Sequence, residues 1–301
     1  MIHRDGRLAK VTVTTALEPM RVSVGRLSGY RVIVDEALLA KLTAEVAVAA
    51  AATLNAARSV SRKADQTPVT DADERSQAIL LQAMARLMPG VAVISEEMAI
   101  RPSRLGDIFA ILDPLDGTKE YLAGSTEYTV NLAIVQRGEP VVGIIGVPAK
   151  GLIYRGCANH GAERLAMSIS GAIPNLAVAE TIRIRNAPRG GVVAMMSRSH
   201  PDSASIALLD RLHVTHRVAC GSALKFCRVA EGIADIYPRL TTTCEWDVAA
   251  GHALVTAAGG TITQPEGGML NYGDAAADFR IPAFIAWGDR TGVLDAAALP
   301  D

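Results

Sequence analysis

From Asp35 the apolar positions recur at three- and four-residue steps, with Leu38, Leu39, Leu42, Val46 and Ala49 on one helical face of an Ala-rich segment. A second helix is expected over residues 71–87. Thr70 can cap it, Asp73 and Glu74 put negative charge in its first turn, and Pro89 and Gly90 end it. The period then shortens. Apolar runs at 91–94, 109–112, 128–135, 141–147 and 152–154 read as strands, and turns around Gly138, Pro140, Pro148 and Gly151 fold the last three into an antiparallel meander. After Asn175 strands and helices alternate: strands at 192–197 and 234–237, helices at 201–212, 222–231 and 247–258, the last stopped by Gly259 and Gly260. The expected organisation is an N-terminal extension over 1–34 without a sustained period, an α+β domain over 35–175 and an α/β domain over 176–301.

Composition narrows the classes. A length of 301 residues suits two domains or one large α/β domain, and 50% hydrophobic residues supply a core and argue against disorder. Lys and Arg number 30 against 31 Asp and Glu, so the chain lacks the positive excess that nucleic-acid or membrane-surface binding draws on. Cys157, Cys220, Cys227 and Cys244 have no CxxC or Cys/His spacing, so reduced thiols are expected rather than a zinc or redox site. The longest near-apolar stretch, 46–57, is interrupted by Thr53 and Asn55 and is shorter than the ~20 residues of a membrane span. No secretory signal core follows the N-terminal basic residues, so a cytoplasmic location is expected, with peripheral association at the inner membrane face as the alternative.

The segment DPLDGTKEY, from Asp113 to Tyr121, follows an apolar strand directly. Two carboxylates and the Leu115 carbonyl on one tight turn suit a hard divalent cation, which takes oxygen ligands and keeps several waters. Gly117, Thr118 and Lys119 open a short helix whose free N–H groups suit a phosphate. Taken alone, Asp-Pro and Asp-Gly are ordinary turn dipeptides. However, Glu96 and Glu97 also follow a strand, and Asp247 opens an Ala-rich helix behind Trp246. Strand ends and helix starts are where α/β folds bind ligands.

Together, Glu96-Glu97, DPLDGT and Trp246-Asp247 before Ala-Ala-Gly resemble the lithium-sensitive, Mg²⁺-dependent phosphatases of the inositol monophosphatase superfamily. Within it, the segments at 63–73, 197–200, 221–226 and 230–239, with Lys119-Glu120 in the acidic loop, resemble the 3′(2′),5′-bisphosphate nucleotidases of the CysQ type. The resemblance runs from about Asp35 to Asp289 and implies a layered αβαβα sandwich. It implies metal ligands at Glu96, Asp113, Leu115, Asp116 and Asp247, holding two or three Mg²⁺ ions. It pairs Asp65 with Thr118 to activate the attacking water, with Glu96 assisting. Substrate contacts are implied at Gly117, Thr118, Lys119, His200, Ser222, Lys225, Arg239 and Asp247.

The activity so implied is hydrolysis of the 3′-phosphate of adenosine 3′,5′-bisphosphate, and of PAPS as a second substrate, placing the chain in sulfur metabolism. Homodimers occur in the superfamily. Inositol monophosphatase or fructose-1,6-bisphosphatase activity is the alternative enzyme, and a non-catalytic nucleotide-binding protein is the alternative of another class. The residues themselves suit the chemistry: Arg239 offers a planar fork and Lys225 a point charge to a second phosphate. Singly, Lys225 would be a solvated helix charge, His200 a turn residue before Pro201 and Ser222 a helix cap. No HExxH, GxSxG or GxxxxGK[ST] pattern occurs, so a zinc protease, an elbow-type serine hydrolase and a P-loop kinase find no support.

Overall fold

The computed structural model describes residues 34–57, 59–62, 68–169 and 174–298. The expected extension lies outside these residues apart from Val34. The described residues belong to one compact unit.

Asp35 caps α1 (Glu36–Leu54) by accepting from the Leu38 N–H at 2.7 Å. A two-stranded ribbon, β1 (Val60–Arg62) and β2 (Pro68–Thr70), leads into α2 (Asp71–Leu87). Thr70 and Asp73 form a reciprocal capping box at the start of α2, the reason its first residue is legible in sequence.

The large sheet follows, with β3 (Ala92–Ser95), β4 (Ile108–Asp116), the short α3 (Thr118–Leu122), β5 (Thr129–Gln136), β6 (Glu139–Val147), β7 (Leu152–Cys157), β8 (Gly161–Ile169), β9 (Pro174–Leu176) and β10 (Glu180–Ile182). Its eight strands run β10-β8-β7-β6-β5-β4-β3, with β9 added beside β8. β5 to β7 are antiparallel neighbours, as the meander predicts; β4 and β8 extend the antiparallel run on either side, and β3 joins β4 in parallel. This sheet continues past residue 175 into β9 and β10.

The remaining chain supplies β11 (Val193–Ser197), α4 (Ser203–Arg211), β12 (His216–Cys220), α5 (Leu224–Ala230), β13 (Ile236–Arg239), β14 (Thr243–Cys244), α6 (Glu245–Ala257), β15 (Thr261–Thr263), β16 (Arg280–Ile281), β17 (Phe284–Trp287) and α7 (Arg290–Ala298). A five-stranded sheet runs β12-β11-β13-β17-β15. It is parallel over β12-β11-β13 and antiparallel at β17 and β15, so strand-helix alternation gives only part of its topology.

The layers are those of an αβαβα sandwich. One apolar cluster joins α1 and α2 to the large sheet, a second joins both sheets to α5 and α6, and a third joins the small sheet to α4 and α7. Every residue of β5 is buried because helices cover both faces of its sheet. By length and composition, α1 is the one helix among the described residues that could cross a membrane. Half of that window is buried in this fold, with Leu42, Val46 and Ala50 in the first cluster.

Helix α6 lies close against the large sheet because glycines on β6 and β7 leave it room. A Cβ at Gly156 would stand 2.6 Å from Leu254 Cα, and one at Gly143 would collide with the Ala250 carbonyl. Gly156→Ala is expected to lower stability by ~2 kcal/mol through overpacking against backbone. Urea unfolding checks this, and an unchanged midpoint and slope would contradict the close approach.

Candidate active site

Side-chain alternation along β4 sets the first acid. Phe109 and Ile111 belong to the cluster around α6, while Ala110 and Leu112 belong to that around α1 and α2, so Asp113 falls on the α6 side. Sequence places Asp113 and Asp116 in a loop, but β4 continues through both. Asp113 pairs with Asn131 and Asp116 with Thr129, leaving one extra residue on β4. Regular pairing would turn residues three apart to opposite faces; the irregularity, at Pro114 and Leu115, brings both acids to one place.

Asp247 arrives from the other direction, in the first turn of α6. Its Oδ2 accepts from the Cys244 N–H at 3.1 Å and from the Thr243 hydroxyl. Carboxylate oxygens of Asp113, Asp116 and Asp247 lie within 4.8 Å of one another. Asp113 is buried; Oδ1 accepts from the Leu115 N–H at 3.1 Å, and Oδ2 has no partner among the described residues. Burial raises the Asp113 pKa well above the usual carboxylate range, and Glu96, Asp116, Asp247 and Asp73 add to the effect in that order. Asp116 is pushed up to about 6, first by burial and then by Asp247, although Lys225 and the Ala223 N–H oppose this. Crowded, all-oxygen donors with an orphaned buried oxygen fit a hard divalent cation.

A cavity of about 260 Å³ opens beside the cluster. Of the residues singled out in sequence, Glu96, Leu115, Asp116, Gly117, Thr118, Lys119, His200, Ser222, Lys225, Arg239 and Asp247 all line it. Gly117 has a φ of 92° and sits 3.3–3.4 Å from the Glu127 carbonyl, Glu120 and Ser222 by its missing Cβ, so both strain and space reserve it for glycine.

Lys225 is 4% exposed, which excludes a solvated helix charge. Its Nζ donates to the Ser222 carbonyl at 2.5 Å and lies 5.2 Å from the Tyr237 ring centroid. Arg239 Nε is buried with no partner among the described residues. Burial lowers the His200 pKa, and the nearby Lys119 and Arg239 lower it further, which favours a neutral imidazole beside these two cations. Ser222 precedes Ala223, the N-cap of α5, and takes a left-handed φ of 50°.

Asp65 lies outside the described residues. Among the described residues, the carboxylate that Thr118 reaches is Asp73, which sequence assigns only to the first turn of α2. Thr118 Oγ1 stands 3.4 Å from Asp73 Oδ1 and 3.3 Å from the Leu115 carbonyl. Asp73 Oδ2 is held by the Thr70 N–H at 2.8 Å and the Thr70 hydroxyl at 2.6 Å. Also unforeseen are Glu120, Ser199 and Tyr237 in the cavity wall, and buried Asn131 opposite Asp113. The three cavity residues stand within segments already singled out, at 113–121, 197–200 and 230–239; Asn131 carries no signal in a single sequence.

Layered helices and sheets around a cleft of this kind define a phosphatase fold seen in solved structures. The sequence matches the profile described as "Inositol monophosphatase family" over residues 31–287, and the chain belongs to that family. The 3′(2′),5′-bisphosphate nucleotidase CysQ of Salmonella typhimurium is 37% identical over 214 residues, 70% of this chain and 82% of that protein. The protein of that name from Buchnera aphidicola is 37% identical over 215 residues, 71% of this chain and 77% of its own. The crystal structure of CysQ from Bacteroides thetaiotaomicron superposes with a TM-score of 0.71 at 32% identity, covering 84% of this chain and 98% of that one. A Thermotoga maritima IMPase, at 22% identity and a TM-score of 0.66, shares the fold.

Burial and crowding of the acids predict a pH dependence in metal-free protein. Because the folded-state pKa of Asp116, about 6, exceeds its ordinary 3.8, its contribution to stability is complete below 3.8 and lost as pH rises through about 6. Relative to Asp116→Asn, wild-type protein in EDTA should lose stability between pH 4 and 7, and Mg²⁺ should restore it. Thermal unfolding at graded pH measures this; a wild-type protein that gains on the variant over that window would contradict it.

Proposed function

We propose that the chain is a Mg²⁺-dependent phosphatase that removes the 3′-phosphate of adenosine 3′,5′-bisphosphate, yielding AMP and phosphate, with PAPS as a second substrate. The observation that carries this reading is one cavity lined both by acids of the carboxylate cluster and by Lys119, His200, Lys225 and Arg239. A substrate with two phosphates matches both. The names of the relatives at 37% identity support the same choice.

Asp113, Asp116, Asp247, Glu96 and the Leu115 carbonyl would hold two or three Mg²⁺ ions. When bound, such ions lower the pKa of water, neutralise phosphate oxygens and stabilise a departing alkoxide. The protein's own residues supply the rest. Thr70 fixes one oxygen of Asp73 and leaves the other facing Thr118. Thr118 can therefore pass its proton to Asp73 while its oxygen takes one from the attacking water. The water oxygen bonds to phosphorus as the bond to the ribose 3′-oxygen breaks, and the departing oxygen takes its proton from solvent. Arg239, with a buried and unpartnered Nε, and Lys225 bind the second phosphate, so a bisphosphate is preferred to a monophosphate.

Phosphate release from adenosine 3′,5′-bisphosphate, inositol 1-phosphate and fructose 1,6-bisphosphate tests the assignment. The nucleotide should be preferred, and turnover should vanish in EDTA and in Asp116→Ala. Thr118→Ala and Asp73→Asn should each lower kcat by roughly 100-fold, and Arg239→Ala should raise KM for the bisphosphate roughly 10-fold. Preference for a sugar phosphate would keep the acid cluster and overturn the pocket assignment; no turnover of any would favour a binding protein.

A further inference from the structure

Glu127 stands outside the cavity, in the short segment between α3 and β5, yet three strands of hydrogen bonding meet at its carboxylate. Oε2 accepts from Arg198 Nε at 2.9 Å and Oε1 from Arg198 Nη2 at 3.2 Å, a bidentate fork. Oε2 also accepts from the Gly221 N–H at 2.9 Å. Arg198 in turn donates from Nη2 to the Ala219 carbonyl at 2.7 Å. The Glu127 main chain is equally close: a Cβ at Gly221 would stand 2.6 Å from its carbonyl oxygen.

These bonds tie two loops of the small sheet to one point beside the large sheet. The loop after β11 carries Arg198, Ser199 and His200; the loop after β12 carries Gly221, Ser222 and Ala223. Two residues beyond Gly221, the Ala223 N–H donates to Asp116 Oδ2 at 2.5 Å. Glu127 is thus connected to Asp116 through three residues of backbone, and Ser222 between them holds a left-handed φ that a loosened loop would relax. Arg198 is half exposed, at 49%, whereas Glu127 is 21% exposed, so the carboxylate is the sheltered centre of the network.

We infer that Glu127 is a positioning residue: it sets the 221–223 loop so that the Ala223 N–H fixes Asp116 for cation binding, and through Arg198 it sets the loop bearing His200 for substrate binding. The inference rests on the metal-dependent phosphatase reading above. It separates the two partners of Glu127. Loss of Arg198 releases the His200 loop and the Ala219 carbonyl, but the Gly221 bond to Glu127, nearest to Ala223 and Asp116, survives. Loss of the carboxylate disturbs both loops.

Calorimetric titration of the purified full chain with Mg²⁺, beside KM and kcat for adenosine 3′,5′-bisphosphate and the melting temperature of the metal-free protein, tests this. Glu127→Ala should weaken Mg²⁺ binding and raise KM, each by about 10-fold, the scale on which residues supporting metal ligands act. Glu127→Gln, which keeps an acceptor for Gly221, should recover most of the Mg²⁺ affinity. Arg198→Ala should raise KM while changing Mg²⁺ affinity by no more than about twofold, as befits an exposed ion pair. A merely structural role would lower the melting temperature and leave Mg²⁺ affinity of the folded protein unchanged in Glu127→Ala, and that result overturns the inference. Wild-type protein that takes up no Mg²⁺ overturns instead the reading on which it rests.

Discussion

The desolvation and mutual repulsion of three crowded carboxylates, one buried and two half-buried, is the constraint around which the chain is arranged. Asp113, Asp116 and Asp247 bring oxygens within 4.8 Å of one another, and Asp113 is almost wholly cut off from solvent. Such a grouping costs free energy unless a cation is present or protons are taken up. It persists because each acid is delivered by an element that packing holds in place: β4, paired on both sides between β5 and β3, its irregular pairing at Pro114, and α6 pressed against the sheet over Gly143 and Gly156. Stability from the two apolar layers flanking the sheet sustains a site that is itself unfavourable.

The cationic end of the cavity follows from the same logic. Lys225 is buried within reach of Asp116, whose pKa it lowers, and its ammonium also has the Ser222 carbonyl and the Tyr237 ring as partners. Arg239 Nε has no partner among the described residues, and the His200 pKa is held down first by burial and then by Lys119 and Arg239. Clustered acids beside clustered cations are complementary to a phosphate ester bridged by metal at one end and carrying a further anion at the other.

Much of this was legible in sequence, for identifiable reasons. Helix α2 begins where Thr70 and Asp73 say it should because a capping box is a local signal. The meander β5-β6-β7 follows from apolar runs separated by tight turns. DPLDGT, Glu96 and Asp247 reveal the acids, since each follows a strand or opens a helix. The pairing of Thr118 with Asp65 falls outside the described residues, whereas the contact with Asp73 carries no sequence signal beyond that of a helix-start acid: its two oxygens serve Thr70 and Thr118 separately, which only the docking of α2 beside β4 reveals. The antiparallel strands β15 and β17 escaped because short runs among Gly and Pro residues carry little periodicity. Likewise Glu127 and Arg198, 71 positions apart, meet only through tertiary structure.

The central claim is that the three aspartates form one cation site. Anomalous diffraction from a crystal soaked in Mn²⁺ addresses it most directly, because Mn²⁺ takes the same oxygen ligands as Mg²⁺ and scatters anomalously. Peaks in coordinating contact with oxygens of Asp113, Asp116 and Asp247 are the predicted result. A fully soaked crystal with no peak among these carboxylates would contradict the account.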